Sequence, residues 1–315
     1  MASPPPSTPP GPASPPTSPT PPHGRGALWA AVAVVVVVVL VVAGLLLTGV
    51  IPGLHSNSSG SSAATSYSQS EPVAVSSADQ RGGSWSVFFA GGVDSTTAVT
   101  VPNLAGEFTN DTCPLVDTPT TQPTLPAYTG AYSTGLMSGW LFGLYDSSPA
   151  TLSLELVVGG QATFLGEVTA PECVDYLGTF TALTASSVVD SPVAAQAVAG
   201  AAASFVSVYS SASASAVLMA GYSISYGSLT YTVYPSWLLT YSTCGVNATS
   251  GTGIQFNATV NATNGEVLAS TAPYSIACDS SGALGIDHGT MELSAPTFMA
   301  PAGRAAARAL PLDRR

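Results

Sequence analysis

The pattern of hydrophobic and polar positions divides the chain into one continuous apolar run and a longer region of short, alternating segments. Residues 27–51 carry no charged side chain and are nearly all apolar. A helix of this length reaches ~37 Å, because each residue adds ~1.5 Å, and the hydrocarbon core of a bilayer is ~30 Å thick. The run therefore predicts one transmembrane helix rather than a cleaved signal peptide, whose apolar stretch is shorter.

Helical periodicity is scarce after the apolar run, and two segments satisfy it. The first is residues 71–80, where Ser70 is placed to cap the helix and Pro72 falls in the first turn. The second is the alanine-rich segment 192–208, with Ser191 as its cap. Serine side chains accept hydrogen bonds from the first helical N–H groups, and proline is tolerated where no N–H is needed. We therefore predict two short helices.

Alternating apolar and polar residues predict β-strands over most of the remaining chain. Gly159-Gly160 and Asn264-Gly265 are two-residue turns typical of antiparallel hairpins, because these residue types accept a positive φ. A third hairpin is predicted around residues 227–228. Strand patterns occupy residues 85–89, 152–158, 162–165, 217–226, 229–234, 237–243, 254–260 and 266–268. Together with the two helices, they predict an α+β fold with antiparallel sheets.

Composition divides the chain into six parts. Eleven of the first 22 residues are proline, which fixes φ and donates no hydrogen bond, so an extended, disordered tail is predicted there. A Ser/Gly-rich stalk follows the apolar run, and the outer domain is predicted to contain two helix-plus-strand halves. The parts are residues 1–26 (cytoplasmic tail), 27–51 (transmembrane helix), 52–70 (stalk), 71–185 (first half), 186–296 (second half) and 297–315 (disordered basic tail).

Charges, cysteines and glycosylation sequons indicate which side of the membrane each part occupies. Arg25 lies just before the apolar run, and no charge follows the run until Glu71. Cytoplasmic flanks carry the excess of positive charge, so the N-terminus is predicted to be cytoplasmic. All cysteines and sequons follow the run, which predicts an extracellular, glycosylated C-terminal domain on a single-pass protein of the cell membrane. The sequons begin at Asn57, Asn110, Asn247, Asn257 and Asn261.

The four cysteines allow three disulfide pairings. We predict Cys113–Cys173 and Cys244–Cys278, because this pairing keeps each bridge within one half of the outer domain. Bridges that close loops of 60 and 34 residues stabilise a fold by roughly 3–4 kcal/mol in the chain-entropy model. The cysteines lack a Cys-x-x-Cys spacing and a nearby pair of histidines, so no zinc site and no cofactor is predicted.

The charge balance of the outer region excludes one class of partner. Residues 51–300 contain 16 acidic residues, and Arg81 is their only arginine or lysine. A nucleic-acid-binding protein needs cations to neutralise phosphates, so we predict no nucleic-acid partner. A surface made mainly of hydroxyl, amide and glycine groups remains polar and largely uncharged when carboxylates are protonated. An acidic exterior is therefore one hypothesis for this domain.

The sequence contains no pattern that predicts catalysis. After the apolar run the only histidines are His55 and His288, and the whole chain lacks lysine. General acid–base and nucleophilic catalysis need a base held by a partner group. The nearest cluster of carboxyl groups comprises Glu155, Glu167, Glu172 and Asp175, and Glu155 is expected to be exposed on its strand. We therefore predict that the protein is not an enzyme.

The second half resembles PepSY-type domains over about residues 190–270. A helix leads to strands containing Ser-Trp-Leu-Leu-Thr-Tyr at residues 236–241, and an apolar strand then reaches the Asn264-Gly265 turn and residues 266–268. Such domains are small extracytoplasmic modules implicated in binding or in restraining peptidases, and they carry no catalytic residues. The resemblance implies a regulatory, non-enzymatic module.

Two further resemblances concern the region around the apolar run. Arg25-Gly26-Ala27 before a hydrophobic helix resembles the class III signal of archaeal pilin-like proteins, which is cut after the glycine. That resemblance implies a pilin-like subunit with a new N-terminus at Ala27. The order of Pro-rich tail, Val-rich anchor and Ser/Thr-rich outer domain resembles archaeal single-pass, membrane-anchored surface proteins.

Topology and composition together lead to one functional expectation. We expect a non-enzymatic, single-pass membrane protein whose extracytoplasmic domain has a binding or structural role. Its partners are the lipid bilayer and other envelope proteins or glycans. A PepSY-type regulatory module and a pilin-like surface subunit are the alternatives.

Overall fold

The structure is a computed structural model that describes residues 64–94, 98–101, 115–128, 130–169, 174–226, 229–244 and 251–278. The predicted transmembrane helix, both predicted tails and most of the predicted stalk lie outside these residues.

Within the described residues, the chain forms two α-helices and thirteen β-strands. The helices are α1 (Tyr67–Asp79) and α2 (Ser191–Val208). The strands are β1 (Ser86–Val93), β2 (Val99–Thr100), β3 (Thr124–Leu125), β4 (Gly139–Ser147), β5 (Ala150–Val158), β6 (Gln161–Val168), β7 (Ser213–Met219), β8 (Tyr222–Tyr226), β9 (Leu229–Val233), β10 (Ser236–Ser242), β11 (Thr252–Asn261), β12 (Val267–Ser270) and β13 (Tyr274–Ala277). Single-turn 3-10 helices occur at Tyr132–Thr134 and Asp175–Thr179.

Nine of these strands form one large antiparallel sheet. Its order is β12-β11-β10-β7-β1-β4-β5-β6, and β13 also pairs with β11. The pairs β2–β3 and β8–β9 form two separate two-stranded sheets. Two helices and a predominantly antiparallel sheet confirm the predicted α+β class.

The two halves of the sheet repeat one layout. In the first half α1 precedes the neighbouring strands β1, β4, β5 and β6, and in the second half α2 precedes β7, β10, β11 and β12. The first strands of the two halves pair with each other, from Phe89 opposite Met219 to Val93 opposite Ser215. The two predicted halves therefore contribute to one continuous sheet.

Both helices lie against the same face of this sheet. The ring of Tyr67 in α1 contacts Trp237, and the ring of Phe205 in α2 contacts Tyr241. Trp237 and Tyr241 are four residues apart on β10, so they project from one face, because side chains alternate along a strand. The aromatic core of the domain lies between this face and the helices.

The helix boundaries differ from the sequence-based prediction. Helix α1 begins at Tyr67, four residues earlier than predicted, and Pro72 therefore lies inside the helix. Ser66 is its cap, and the side chain of Gln69 accepts a hydrogen bond from Ser66 N at 3.0 Å, as in a capping box. Helix α2 begins at Ser191, one residue before the predicted start, because Asp190 takes the capping role predicted for Ser191.

Two predicted hairpins are confirmed. Strands β5 and β6 are joined by Gly159 and Gly160, whose φ angles are 56° and 77°. Strands β11 and β12 are joined through the Asn264-Gly265 turn, where Gly265 has a φ of 77°. Positive φ at these positions costs little for glycine, which has no Cβ.

The third predicted hairpin is only partly correct. The segment expected to be one strand from residue 217 to 226 ends as β7 at Met219 and restarts as β8 at Tyr222. Between them, a Cβ at Gly221 would lie 2.6 Å from the carbonyl oxygen of Val233. Glycine permits this close approach, and the chain leaves the large sheet at this point. Strand β10, which follows later in the chain, pairs with β7 in the large sheet. Strands β8 and β9 pair with each other, as predicted.

Candidate functional site

The N-termini of the two helices meet at one carboxylate. Oδ1 of Asp190 accepts hydrogen bonds from Ser68 N and Ser191 N, each at 2.9 Å, and its Oδ2 accepts one from Ser68 Oγ at 2.7 Å. Ser191 Oγ in turn accepts a hydrogen bond from Tyr67 N at 3.0 Å. Each helix N-terminus carries a partial positive charge. Asp190 therefore satisfies free N–H groups of both helices and offsets the repulsion between them.

Beneath this junction lies a cluster of aromatic rings. Tyr67 makes edge-to-face contacts with Trp140 at 6.1 Å and with Trp237 at 5.6 Å between ring centroids. The hydroxyl of Tyr67 is buried without a hydrogen-bond partner. Burial, and after it the negative charges of Glu71 and Asp190, raise the pKa of Tyr67 above its ordinary value. The rings of this cluster pack the helix N-terminus against the sheet.

A partly buried ion pair links the residue two positions after α1 to β5. Arg81, whose side chain is 30% exposed, pairs through Nη2 with Oε1 of Glu155, which is 0% exposed. Glu155 also accepts hydrogen bonds from Ser77 Oγ at 3.1 Å and from Ser153 Oγ at 3.3 Å. The guanidinium lies 4.2 Å from the ring centroid of Phe164, within the range of a cation–π contact. Arg81 is the only arginine or lysine among the described residues.

The predicted exposure of Glu155 is therefore wrong. Strand β5 lies between β4 and β6, and α1 covers the face from which Glu155 projects. Burial raises the pKa of Glu155 above its ordinary value, and this effect exceeds the opposing effects of Arg81, Ser77 and Ser153. The carboxyl group is engaged by structural partners.

A second buried carboxyl group lies at the end of β1. Asp94 is 2% exposed, and its Oδ1 accepts a hydrogen bond from Ala214 N at 2.5 Å. Its Oδ2 is buried and has no hydrogen-bond partner. Burial raises the pKa of Asp94 to about 7, and only the Ala214 N–H opposes this effect.

Two phenols are electrostatically coupled to Asp94. Burial, and then the charge of Asp94, raise the pKa of Tyr132 to about 12. Burial, followed by Tyr132 and Asp94, also raises the pKa of Tyr241. The hydroxyl of Tyr132 donates its hydrogen bond to the carbonyl oxygen of Tyr209 at 2.8 Å. Asp94 is therefore buried within electrostatic reach of two tyrosine phenols.

These polar groups do not form a catalytic arrangement among the described residues. All three histidines of the chain lie outside the described ranges. Of the predicted carboxyl cluster, Glu155 binds Arg81, Glu167 lies in β6, Asp175 begins a short 3-10 helix, and Glu172 is outside the described ranges. The part of the chain that the structure describes also contains no group of three His, Cys, Asp or Glu residues that could hold a metal ion.

One of the two predicted disulfides is present. Cys244, just after β10, and Cys278, just after β13, are bonded with a Cα–Cα distance of 5.5 Å. The bridge ties the ends of two strands that both flank β11. Cys113 and Cys173 lie outside the described residues.

Two of the five predicted glycosylation sequons fall in described residues, and their settings differ. Asn257 lies within β11, where its Nδ2 donates a hydrogen bond to the hydroxyl of Tyr274 at 2.7 Å. Asn261 ends β11, and its Oδ1 accepts a hydrogen bond from Thr263 N at 2.8 Å. Asn57, Asn110 and Asn247 lie outside the described residues.

The sequence analysis did not identify Arg81, Asp94 or Asp190 as residues that connect parts of the fold. A lone cation in a carboxylate-rich domain is a signal for Arg81, because it needs an acidic partner when it is partly buried. Asp190 before Ser191-Pro192 carries the ordinary sequence signal of a helix cap. No local signal identifies Asp94, because its burial results from strands and loops that are distant in sequence.

Comparison with protein-family models, with curated proteins and with solved structures finds no match to this chain. Among the described residues, one helix, α2, is long and apolar enough to cross a membrane. One side of α2 packs on the sheet through Ala194, Val198, Ala202 and Phe205, as in the core helix of a folded domain.

Proposed function

We propose that the protein is a single-pass membrane protein whose C-terminal domain lies outside the cell and has a non-enzymatic binding or structural role. The observation that carries this proposal is the charge-free run at residues 27–51, followed by a cystine-containing domain. A hydrophobic run of this length is most stable as a helix across a bilayer, since every backbone group is then hydrogen-bonded within the segment. Its partners are the bilayer and other envelope proteins or glycans.

Two features of the described domain support an extracellular setting. The Cys244–Cys278 disulfide is typical of proteins that mature in an oxidising compartment. The single cation of the described residues is engaged by Glu155, which leaves a surface dominated by uncharged polar groups and carboxylates. Such a surface is suited to contact with proteins or glycans and unsuited to nucleic acid.

The polar interior of the domain supports a non-enzymatic role. Asp190 caps two helices, Glu155 binds Arg81, and Asp94 is buried and accepts a hydrogen bond from Ala214 N. Each of these groups is engaged in holding the fold together rather than directed to a substrate.

Sidedness is the decisive test of this proposal. Ala13→Cys places a reporter thiol in the Pro-rich tail, and Ala199→Cys places one on the exposed side of α2. In intact cells, a membrane-impermeant maleimide should label Ala199→Cys and leave Ala13→Cys unlabelled, whereas permeabilised cells should label both. Labelling of the unsubstituted protein sets the background. Labelling of Ala13→Cys alone in intact cells, or recovery of the full chain in the aqueous fraction after cell breakage, would contradict the proposal.

A PepSY-type regulatory module is the second candidate. The observation in its favour is the course of residues 191–270, in which α2 is followed by antiparallel strands that end at the Asn264-Gly265 hairpin. On this proposal, the purified protein should inhibit a peptidase that co-purifies with it. Unchanged peptidase activity over a titration with the full-length protein would rule out this role.

A pilin-like subunit is the third candidate, and it rests on Arg25-Gly26-Ala27 before the apolar run. Mass spectrometry of the mature protein should then find an N-terminus at Ala27, and cell-surface filaments should contain the chain. An intact N-terminal tail on the membrane-inserted protein would exclude this role.

A further inference from the structure

The outer region carries few positive charges when the medium becomes acidic. Acid unfolding is driven by protonation of carboxylates that the native state holds ionised and by mutual repulsion among the remaining cations. Here Arg81, His55 and His288 are the only residues between 51 and 300 that carry positive charge after the 16 acidic residues are neutralised. Repulsion among cations, the second driving force, is therefore nearly absent from this region.

Acidification protonates one specific buried group, the carboxyl group of Asp94. Asp94 follows directly after β1, and its backbone N–H donates to the carbonyl oxygen of Ala214 at 3.0 Å. Its carboxyl group accepts the N–H of Ala214 as well. Asp94 thus extends the pairing of β1 with β7, which is the contact between the two halves of the large sheet.

The surroundings of Asp94 suit a neutral carboxyl group better than an ionised one. Among the described residues, the titratable groups that interact with it are the phenols of Tyr132, from the 3-10 helix before β4, and Tyr241, from β10. The hydroxyl of Tyr132 already donates to the carbonyl oxygen of Tyr209. No cation among the described residues balances an ionised Asp94, because Arg81 is bound to Glu155. A buried, unpaired carboxylate is costly, and a proton removes that cost.

We propose that Asp94 is a pH-sensitive latch between the two halves of the sheet, closed by protonation, so that the domain becomes more stable as its medium is acidified. The neutral carboxyl group keeps the hydrogen bond from Ala214 N and places no charge in the buried region around Asp94. Ionisation at higher pH introduces an uncompensated charge at the contact between β1 and β7 and loosens it.

The direction of the expected pH dependence follows from linkage. Burial raises the pKa of Asp94 from 3.8 to about 7, so the folded state holds this proton more tightly than the unfolded chain does. The resulting stabilisation is fully present below about pH 4 and is lost as the pH rises through 7. Burial also raises the pKa of Glu71 and of Glu155, and both therefore act in the same direction.

The test is a pH series of unfolding measurements on the full-length protein in detergent micelles. Between about pH 4 and pH 7, titration of Asp94 alone should make the folding equilibrium constant fall by up to roughly tenfold per pH unit as the pH rises. Asp94→Asn mimics the protonated side chain. The slope of its unfolding free energy against pH should therefore correspond to about one proton fewer than in the wild type. At pH 8 the variant should be more stable than the wild type. The matched control Glu266→Gln removes an exposed charge and should leave the profile unchanged.

Two results would overturn the proposal. One is a wild-type protein that is less stable at pH 5 than at pH 8, and the other is an Asp94→Asn profile that parallels the wild type. Infrared spectra of the wild type give a measurement that does not depend on the variant's folding. A protonated carboxyl band should persist at pH 6 and disappear near pH 8, and its absence at pH 6 would equally overturn the proposal.

One consequence of the latch rests on the proposed function. If the domain lies outside the cell, a fold that gains stability in acid indicates an acidic external medium. The two ideas fail separately, because maleimide labelling reports sidedness and the pH series reports the latch. A cytoplasmic domain with a proton-stabilised fold would refute only the extracellular assignment.

Discussion

The two halves of the described domain share a backbone layout and an aromatic contact between helix and sheet, and they differ in the further links that each half adds. In the first half, Tyr67 of α1 packs against Trp237, and Arg81, two residues after α1, pairs with Glu155 of β5. In the second half, α2 contributes Phe205 to a cluster of rings with Tyr241 and Phe256, and a disulfide ties the neighbouring strands. The comparison shows that one helix-on-sheet layout is compatible with two different interiors.

The difference has consequences for how each half responds to solvent. The ion pair of the first half depends on the charge of Glu155 and therefore on pH. The disulfide of the second half does not titrate, but it depends on the redox state of the medium. Asp190 belongs to both halves, because it caps both helices.

The largest effect is expected from removing the cation of the first half. Arg81→Met keeps an unbranched apolar stem over Phe164 and leaves the carboxylate of Glu155 buried without its partner. Breaking a buried pair in this way lowers the free energy of unfolding by about 3–5 kcal/mol. The loss should shrink at pH 5, because Glu155 has a raised pKa and becomes neutral in acid. Denaturant titrations of the full-length protein at pH 7 and pH 5 measure both effects.

The control for this prediction removes both charges. Arg81→Met combined with Glu155→Leu leaves no unpaired charge and should recover most of the lost stability. Equal destabilisation by the single variant at the two pH values would show that Glu155 is not the group left unpaired.

The second half should respond most strongly to loss of its disulfide. Replacing Cys244 and Cys278 by serine removes the constraint on a loop of 34 residues and should lower the free energy of unfolding by about 3 kcal/mol. The effect should be the same at pH 5 and pH 7, in contrast to Arg81→Met. Chemical denaturation of the double variant at both pH values tests this, and the matched control is the wild type with and without reductant. A change in midpoint that depends on pH would contradict the assignment of this role to the disulfide.

A smaller effect is expected at the junction that the halves share. Asp190→Ala removes the acceptor for Ser68 N and Ser191 N and should cost about 2 kcal/mol, since each lost cap costs about 1 kcal/mol. Asp190→Asn retains an acceptor oxygen and should cost less. Asp79→Ala removes an exposed acid at the C-terminal end of α1 and should be nearly neutral. Thermal unfolding by circular dichroism ranks the three variants, and equal melting temperatures for Asp190→Ala and Asp79→Ala would contradict the shared cap.

The smallest effect concerns the exposed side of α2. Gly200 lies inside the helix, and a Cβ at this position would meet nothing within 4 Å. Gly200→Ala should therefore raise the free energy of unfolding by up to about 1 kcal/mol, because alanine loses less backbone entropy on folding. Gly135→Ala is the contrasting control: its φ is 75°, and its Cβ would collide with the backbone of Ser191, so it should destabilise. A destabilising Gly200→Ala would mean that this side of α2 is covered in the intact protein.

Features of the fold that depend on neighbouring residues could be predicted from the sequence. The turns at Gly159-Gly160 and Asn264-Gly265 require residues that accept a positive φ, and both hairpins form where predicted. The alanine-rich segment of α2 was placed to within one residue. The Cys244–Cys278 pairing agrees with the expectation that each bridge stays within one half of the domain.

The tertiary structure alone decided which polar groups are buried and what they bind. Glu155 has the sequence pattern of an exposed strand residue, and it is buried because α1 covers the face that a two-residue period assigns to solvent. Asp94 interacts electrostatically with Tyr241, 147 positions away in the chain, and Asp190 caps a helix that begins more than a hundred residues earlier. Alternation along a strand distinguishes its two faces, but only long-range packing determines whether both are removed from water.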